Sequence, residues 1–263
     1  MSAAESQPLL TATEDIVRRA GEMILKNWNR PKHVSYKGRV DLVTETDVAV
    51  ESFLTAELQD LLPKATFLAE ESAADAHLGE STWIVDPLDG TTNFAHGLPA
   101  VAISVALWQE NHVHLGIVYL PKLDECFCAE RGQGAWLNGS RIKVSEQTDP
   151  ENALVATGFP YAKRERIQDI LPLLQNILST CRGLRRMGAA AVDLAYTACG
   201  RLDAFYELGL KPWDTAAGWL LVEEAGGRVS QFSPTEGAYV LGSDSILASN
   251  SHIHGPMAAL LQP

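Results

Sequence analysis

Residues 99 to 145 constrain the fold more than any other part of the chain. Four strand-like runs, AVAISVALW, HVHLGIVYL, ECFCAE and GAWLNGSRIKV, follow one another with only turn residues between them. No helix separates them, so the section is antiparallel. From residue 149 the pattern changes. The helical run RERIQDILPLLQNILS, which continues through Pro172, leads to a small-residue helix, GAAAVDLAYTACGRL, ending at Gly200. The strand DAFYEL, the helix WDTAAGWLLVEEAGG and the strands RVSQF and SILASN follow. Strands alternating with helices predict an α/β layer. The chain therefore divides into an α+β half, 1–145, and an α/β half, 146–263, with no low-complexity linker, joined as one compact unit.

The start of the chain is helical by spacing. Ile16, Ala20, Met23, Ile24 and Trp28 mark a helix over 11–28, with Thr13 as its cap. Residues 33–47 are mixed and turn-rich around Lys37-Gly38, and 45–63 return to helical spacing and stop at Pro63. ATFLAEE (65–71) and STWIVDP (81–87) read as short strands, the second ending at Asp86 with the chain turning through Leu88.

The formal net charge is −12, and no basic stripe is present; GLRRMG at 183–188 is too short. Direct gripping of a nucleic-acid backbone is not expected. An acidic protein can still hold phosphate through metal cations. Cys126, Cys128, Cys181 and Cys199 fit neither a zinc ribbon nor a disulfide framework, and read as small buried or half-buried residues. The first 25 residues lack a signal-peptide pattern, and no apolar run approaches a membrane span. The expectation is a reduced, cytoplasmic protein with no membrane contact. NGS at 138–140 then reads as a turn. His112, His114, His252 and His254 read as surface histidines, Trp213 and Trp219 as core or interface aromatics, and the apolar 99–108 strand as a candidate subunit interface.

The chemistry concentrates in IVDPLDGTTNF, residues 84–94. Pro87 restricts the backbone and biases Asp86 towards an extended conformation. Two acids separated by one turn can face one point, where they repel unless a cation lies between them. A turn Asp and a cap Asp would serve an isolated D-P-L-D equally well. The Gly90-Thr91-Thr92-Asn93 that follows adds a second element: a helix opening there presents free N–H groups suited to phosphate. Glu70 and Glu71 follow TFLA, and Asp214 follows Pro212-Trp213 at a helix start. Alone, they read as a solvated pair and a helix cap. Together they offer only oxygen ligands, which selects Mg²⁺ or Mn²⁺ over zinc.

These residues, with DLVTETD (41–47), RGQGAWLNG (131–139) and GRLDAFYELGLKPWDTAAGWLLVEEAGG (200–227), resemble the inositol monophosphatase family of Mg²⁺-dependent, lithium-sensitive phosphatases. The resemblance covers nearly the whole chain. It implies a layered αβαβα sandwich of the inositol monophosphatase and fructose-1,6-bisphosphatase type, with most metal ligands in the first half and the second half completing the site. Glu70, Asp86 and the Leu88 carbonyl match the ligands of a first metal, and Asp86, Asp89 and Asp214 those of a second. Glu70 also matches the ligand of a weaker third ion. Asp47 and Thr91 match the pair that orients the attacking water. Gly90 and Thr91 match the phosphate cradle, which Thr92 extends. Asp89, Ala190 and Glu207 match the groups that contact substrate hydroxyls. The implied reaction is hydrolysis of inositol monophosphate or a similar small polyol or sugar phosphate by a metal-activated water, in line and without a phosphoenzyme. A homodimer is also implied.

Ala189 stands where relatives often carry Thr or Ser, which weakens a strict inositol assignment. Related enzymes accept fructose bisphosphate or histidinol phosphate. Arg185 and Arg186 are either a clamp for a second substrate phosphate or a surface pair, and Lys37 either closes the site or is an exposed loop residue. Some bacterial relatives also bind the transcription machinery, so a regulatory role through protein contacts is the alternative of a different class.

Overall fold

The first helix, α1 (Ala3–Asn27), turns Leu9, Ile16, Val17, Ala20 and Ile24 inward, and Trp28 follows just beyond it. It begins earlier than its spacing predicts. Thr13 is therefore mid-helix rather than a cap, and its hydroxyl donates to the Leu9 carbonyl at 2.8 Å. The computed structural model describes residues 3–30, 34–36, 42–72, 77–160, 164–233 and 239–262. Lys37 lies outside them.

Two short strands, β1 (Val34–Tyr36) and β2 (Leu42–Thr44), pair antiparallel and lead into α2 (Glu45–Leu61). Seven strands then build the first sheet in chain order. They are β3 (Thr66–Ala69), β4 (Ser81–Asp89), β5 (Ala102–Gln109), β6 (His112–Leu120), β7 (Glu125–Glu130), β8 (Gly134–Leu137) and β9 (Ser140–Arg141), with α3 (Thr91–His96) between β4 and β5. Only β3 and β4 are parallel; the rest of the sheet is antiparallel, as the strand runs after residue 99 predict. The NGS sequon is the β8–β9 turn, with Asn138 and Gly139 both at positive φ (47° and 78°).

The second sheet has the order β11-β10-β12-β14-β13. Its elements follow the chain as β10 (Leu154–Thr157), α4 (Ile167–Thr180), β11 (Gly183–Arg185), α5 (Ala190–Ala198), β12 (Ala204–Leu208), α6 (Pro212–Glu224), β13 (Gly227–Ser230), β14 (Ser245–Asn250) and α7 (His254–Leu260). β10 is parallel to β11 and β12, whereas β14 runs against β12 and β13.

Three apolar clusters define the stacking. One joins α1 and α2 to the Trp83, Val85, Ile103 and Ile117 face of the first sheet. A second joins the opposite face, through Ile84, Ala102 and Val118, to α5, α6 and the Ala156, Phe205 and Ile246 face of the second sheet. The third packs α4 and α7 on the remaining face, through Val155, Tyr206 and Leu247. The layers run α, β, α, β, α. Both faces of each sheet are covered, which is why β4 and β5 read as continuous apolar runs rather than alternating ones.

The middle helices are rich in alanine and glycine because they lie between two sheets. A Cβ on Gly116 of β6 would sit 2.9 Å from the Ala217 carbonyl oxygen, and one on Gly218 would sit 2.5 Å from Leu194 Cβ. The apolar 99–108 run is the interior strand β5, hydrogen-bonded on both sides, so it is not an exposed subunit interface. His254 is also reassigned: it is buried, bonded to Ser230 and Ser249 at 2.9 and 2.8 Å.

Candidate active site

The strand β4 does not end at Asp86. It continues through Pro87 and Leu88 to Asp89 and carries a bulge there: Asp86 pairs with Ser104, and Asp89 with Ala102. In a regular strand, residues three apart face opposite sides. The extra residue of the bulge turns Asp89 back to the face of Asp86, towards the middle helices. Pro87 fits because a bulge needs no ladder bond from it. Asp86 Oδ1 accepts the Leu88 N–H at 2.9 Å, which closes the loop of the bulge.

Other elements bring further carboxylates to this point. The Glu70 N–H donates to the Val85 carbonyl at 3.1 Å, which fixes Glu70 beside Asp86. Ser104 Oγ donates to the Trp213 carbonyl at 3.0 Å, tying β5 to the first turn of α6. Asp214 is the next residue and accepts the Lys211 N–H at 2.7 Å. Glu70, Asp86, Asp89, Asp214 and Glu207 of β12 line one cavity of about 250 Å³. Burial, then Glu70, Asp89 and Asp214, push the Asp86 carboxyl well above the usual range. Burial and Asp214 do the same to Asp89. Burial, with Asp214 the largest charge contribution, raises Glu207 to about 8. A cluster of this kind is unfavourable when ionised and alone, and it is all oxygen. Its donor chemistry fits hard divalent cations.

Gly90 links β4 to α3 at φ 90°. A Cβ there would lie 2.8 Å from the Ala100 carbonyl oxygen, so glycine is required twice over. Thr91 and Thr92 border the cavity in the first turn of α3, where backbone N–H groups have no partner inside the helix. Thr91 Oγ lies 2.8 Å from Asp47 Oδ1 and 3.1 Å from the Leu88 carbonyl oxygen. Asp47 is buried behind Thr91 and does not line the cavity. It also accepts the Thr44 N–H at 2.9 Å in the capping box of α2, and burial raises its carboxyl.

Leu88, Gly90 and Ala190 also line the cavity, so every expected site residue except Asp47 borders it. Asp89 Oδ2 accepts the Ala191 N–H at 2.7 Å, fixing the start of α5 against β4. The two arginines separate. Both are exposed, but Arg186 lines the cavity, its guanidinium 5.5 Å above the Phe159 ring, whereas Arg185 lies outside it and donates to the Leu184 carbonyl.

Three contributors are given no role by the sequence alone. Asn93 Nδ2 donates to the Ala100 and Met187 carbonyls at 2.7 and 2.9 Å and holds α3 against the segment before α5. Gly158 leaves room for Glu207: a Cβ there would fall 2.1 Å from the carboxylate. Asp193, on the cavity wall, is buried, and its Oδ1 has no hydrogen-bond partner among the described residues. A charged residue inside the alanine-rich GAAAVDL was the one visible hint of it.

The chain matches the model of the inositol monophosphatase family over residues 5–263. It is 41% identical over 257 residues to Nus factor SuhB of Salmonella typhimurium, covering 96% of this chain and 95% of that one. It is 42% identical over 253 residues to inositol monophosphatase 3 of Solanum lycopersicum, covering 94% of each. The crystal structure of the extragenic suppressor protein suhB from Bartonella henselae superposes with a TM-score of 0.89 at 37% identity, covering 97% of this chain and 98% of that one. The bulged acidic strand, the layered sandwich and near full-length similarity agree: the chain belongs to the inositol monophosphatase family.

Proposed function

We propose that the chain hydrolyses a small phosphate monoester, inositol monophosphate or a similar polyol or sugar phosphate. The observation that carries this reading is the convergence of Asp86 and Asp89 of β4, Glu70 just after β3 and Asp214 of α6 on one cavity beside the first turn of α3. With the Leu88 carbonyl, these carboxylates would hold two to three Mg²⁺ ions, or Mn²⁺ in their place. Such ions neutralise phosphate charge and acidify water.

The chain's own residues do the rest. The first-turn amides at Gly90, Thr91 and Thr92 bind phosphate oxygens. The Thr91 hydroxyl hydrogen is directed at Asp47 or the Leu88 carbonyl, so towards the cavity the hydroxyl can only accept. It thereby orients a water by taking a hydrogen bond from it. Asp47 fixes that polarity. Asp89, Glu207 and the Ala190 backbone receive substrate hydroxyls, and no side chain need become a covalent nucleophile. The site would serve a cytoplasmic enzyme, acting as a homodimer.

Phosphate release tests this on inositol 1-phosphate, fructose 1,6-bisphosphate and histidinol phosphate, with and without Mg²⁺ and with added Li⁺. Turnover is expected only with the divalent ion, with inhibition by Li⁺. Asp89→Asn and Asp214→Asn should each lower it about a hundredfold or more. Because Arg186 lines the cavity, a strong preference for the bisphosphate would redirect the assignment to a second-phosphate clamp. The relatives named Nus factor SuhB favour a second reading, a regulatory role through protein contacts with the transcription machinery. Cell phenotypes that survive both substitutions would support it.

A further inference from the structure

Cys126 and Cys128 occupy alternate positions on β7 and share the face that packs against α1 and α2. Their sulfurs lie 3.6 Å apart. Glu14 reaches the same point from α1, and one of its carboxylate oxygens and both sulfurs all lie within 4.8 Å of one another. A tetrahedral ion with metal–sulfur bonds of about 2.3 Å holds two sulfurs about 3.8 Å apart. The sulfur separation is thus close to the edge of such a coordination shell. A disulfide fits less well: strand residues two apart are spaced about 6.7 Å along the chain, whereas a disulfide draws the Cβ atoms to about 3.8 Å.

The neighbouring charge is also suitable. Arg18 Nε donates to Glu14 Oε1 at 2.9 Å, and a side-chain hydrogen bond joins Glu14 to Cys128, so the carboxylate already faces the thiol pair. Two thiolates, one carboxylate and one divalent ion sum to −1, a charge that Arg18, bonded to Glu14, offsets in part while it also pairs with Asp124. Arg18 is held in place by Asp124 and Asn138, each at 3.2 Å. Orientation of a ligand by an outer hydrogen bond is a common feature of metal sites. Both cysteines are buried while the Glu14 side chain is 32% exposed, so an ion enters past Glu14.

We propose that Glu14, Cys126 and Cys128 bind one thiophilic divalent cation of the zinc class, with water as the fourth ligand. The site is separate from the acidic cluster, which lies on the opposite face of the same sheet. The ion would pin α1 to β7.

Titration of the reduced, metal-stripped protein with Co²⁺ or Cd²⁺ tests this. Thiolate-to-metal charge-transfer absorption reports sulfur ligation alone, so ions held by carboxylates do not contribute to it. One sulfur-bound equivalent is expected. Zn²⁺ should also slow alkylation of two of the four thiols, a measurement that needs no variant. Cys126→Ser/Cys128→Ser should remove the band and leave Mg²⁺-supported phosphate release unchanged. Glu14→Gln should keep the band and weaken binding about tenfold or more. Absence of the band, its survival in the double variant, or alkylation indifferent to Zn²⁺ would overturn the site and leave a packed thiol pair.

Discussion

Thr91 and Asp47 form a hydrogen-bonded pair with unequal structural duties. Asp47 serves the capping box of α2 as well as Thr91, whereas Thr91 serves only the cavity edge and the bulge. The two substitutions should therefore separate. Thr91→Val should lower kcat about a hundredfold, the low end of the range for a positioned proton partner, with little change in melting temperature. Asp47→Asn should lower kcat similarly and also weaken the cap, at a cost of about 1 kcal/mol in urea unfolding. Equal stability losses would mean that Thr91 has a packing role, and unchanged kcat would remove the pair from the reaction. Sequence reasoning located both residues through the family motif. It included Asn93 in the motif without a role and passed over Gly158, because their importance comes from the Ala100 and Met187 carbonyls and the Glu207 carboxylate, which only the fold brings to them.

The bulge in β4 shows what patterning cannot resolve within an element. Proline after Asp86 has the same local signature whether it ends a strand or sits in a bulge, and only the pairing of Asp89 with Ala102 separates the two. Apolar runs located the strands well, yet could not say that β5 is interior. The fit between elements is equally invisible and equally testable. Gly116→Ala drives a methyl into the backbone of α6 at Ala217, for an expected loss of about 1–3 kcal/mol. Because α6 also presents Asp214, the same variant should bind Mg²⁺ more weakly; normal affinity would show that the helix absorbs the methyl without moving. At the start of α7, burial lowers the His254 pKa to about 4. An unfolded histidine titrates near 6.5. Between those values the unfolded chain binds more protons than the native one, so this contribution to stability is present above pH 6.5 and lost as pH falls towards 4. His254→Asn should flatten the stability profile in that window by about one proton; an unchanged slope would assign the acid sensitivity elsewhere.

Across the whole molecule, the candidate site is a product of layering. The first sheet contributes Asp86 and Asp89, and Glu70 stands at the end of β3. The middle layer contributes Asp214, and the second sheet Glu207. Alternating strands and helices made an α/β layer legible in the sequence, and the family resemblance supplied the full layer order and named all five acids. The meeting of all five depends on packing at positions such as Gly116 and Gly218. An arrangement that gathers like charges from three layers should be strained without cations and braced by them. In metal-stripped protein, Asp214→Asn relieves repulsion while its amide oxygen can still accept the Lys211 N–H. The stripped variant should therefore melt no lower than stripped wild type. Adding Mg²⁺ should reverse the order, because an ion that binds only the folded state stabilises it by about 2.7 kcal/mol at a hundred times its dissociation constant. Wild type should gain this stabilisation and Asp214→Asn should lose most of it. Calorimetry of both proteins, stripped and loaded, reads all four corners of this cycle. A stripped variant that melts well below stripped wild type would show that Asp214 serves the fold first, with its charge no burden to the empty site.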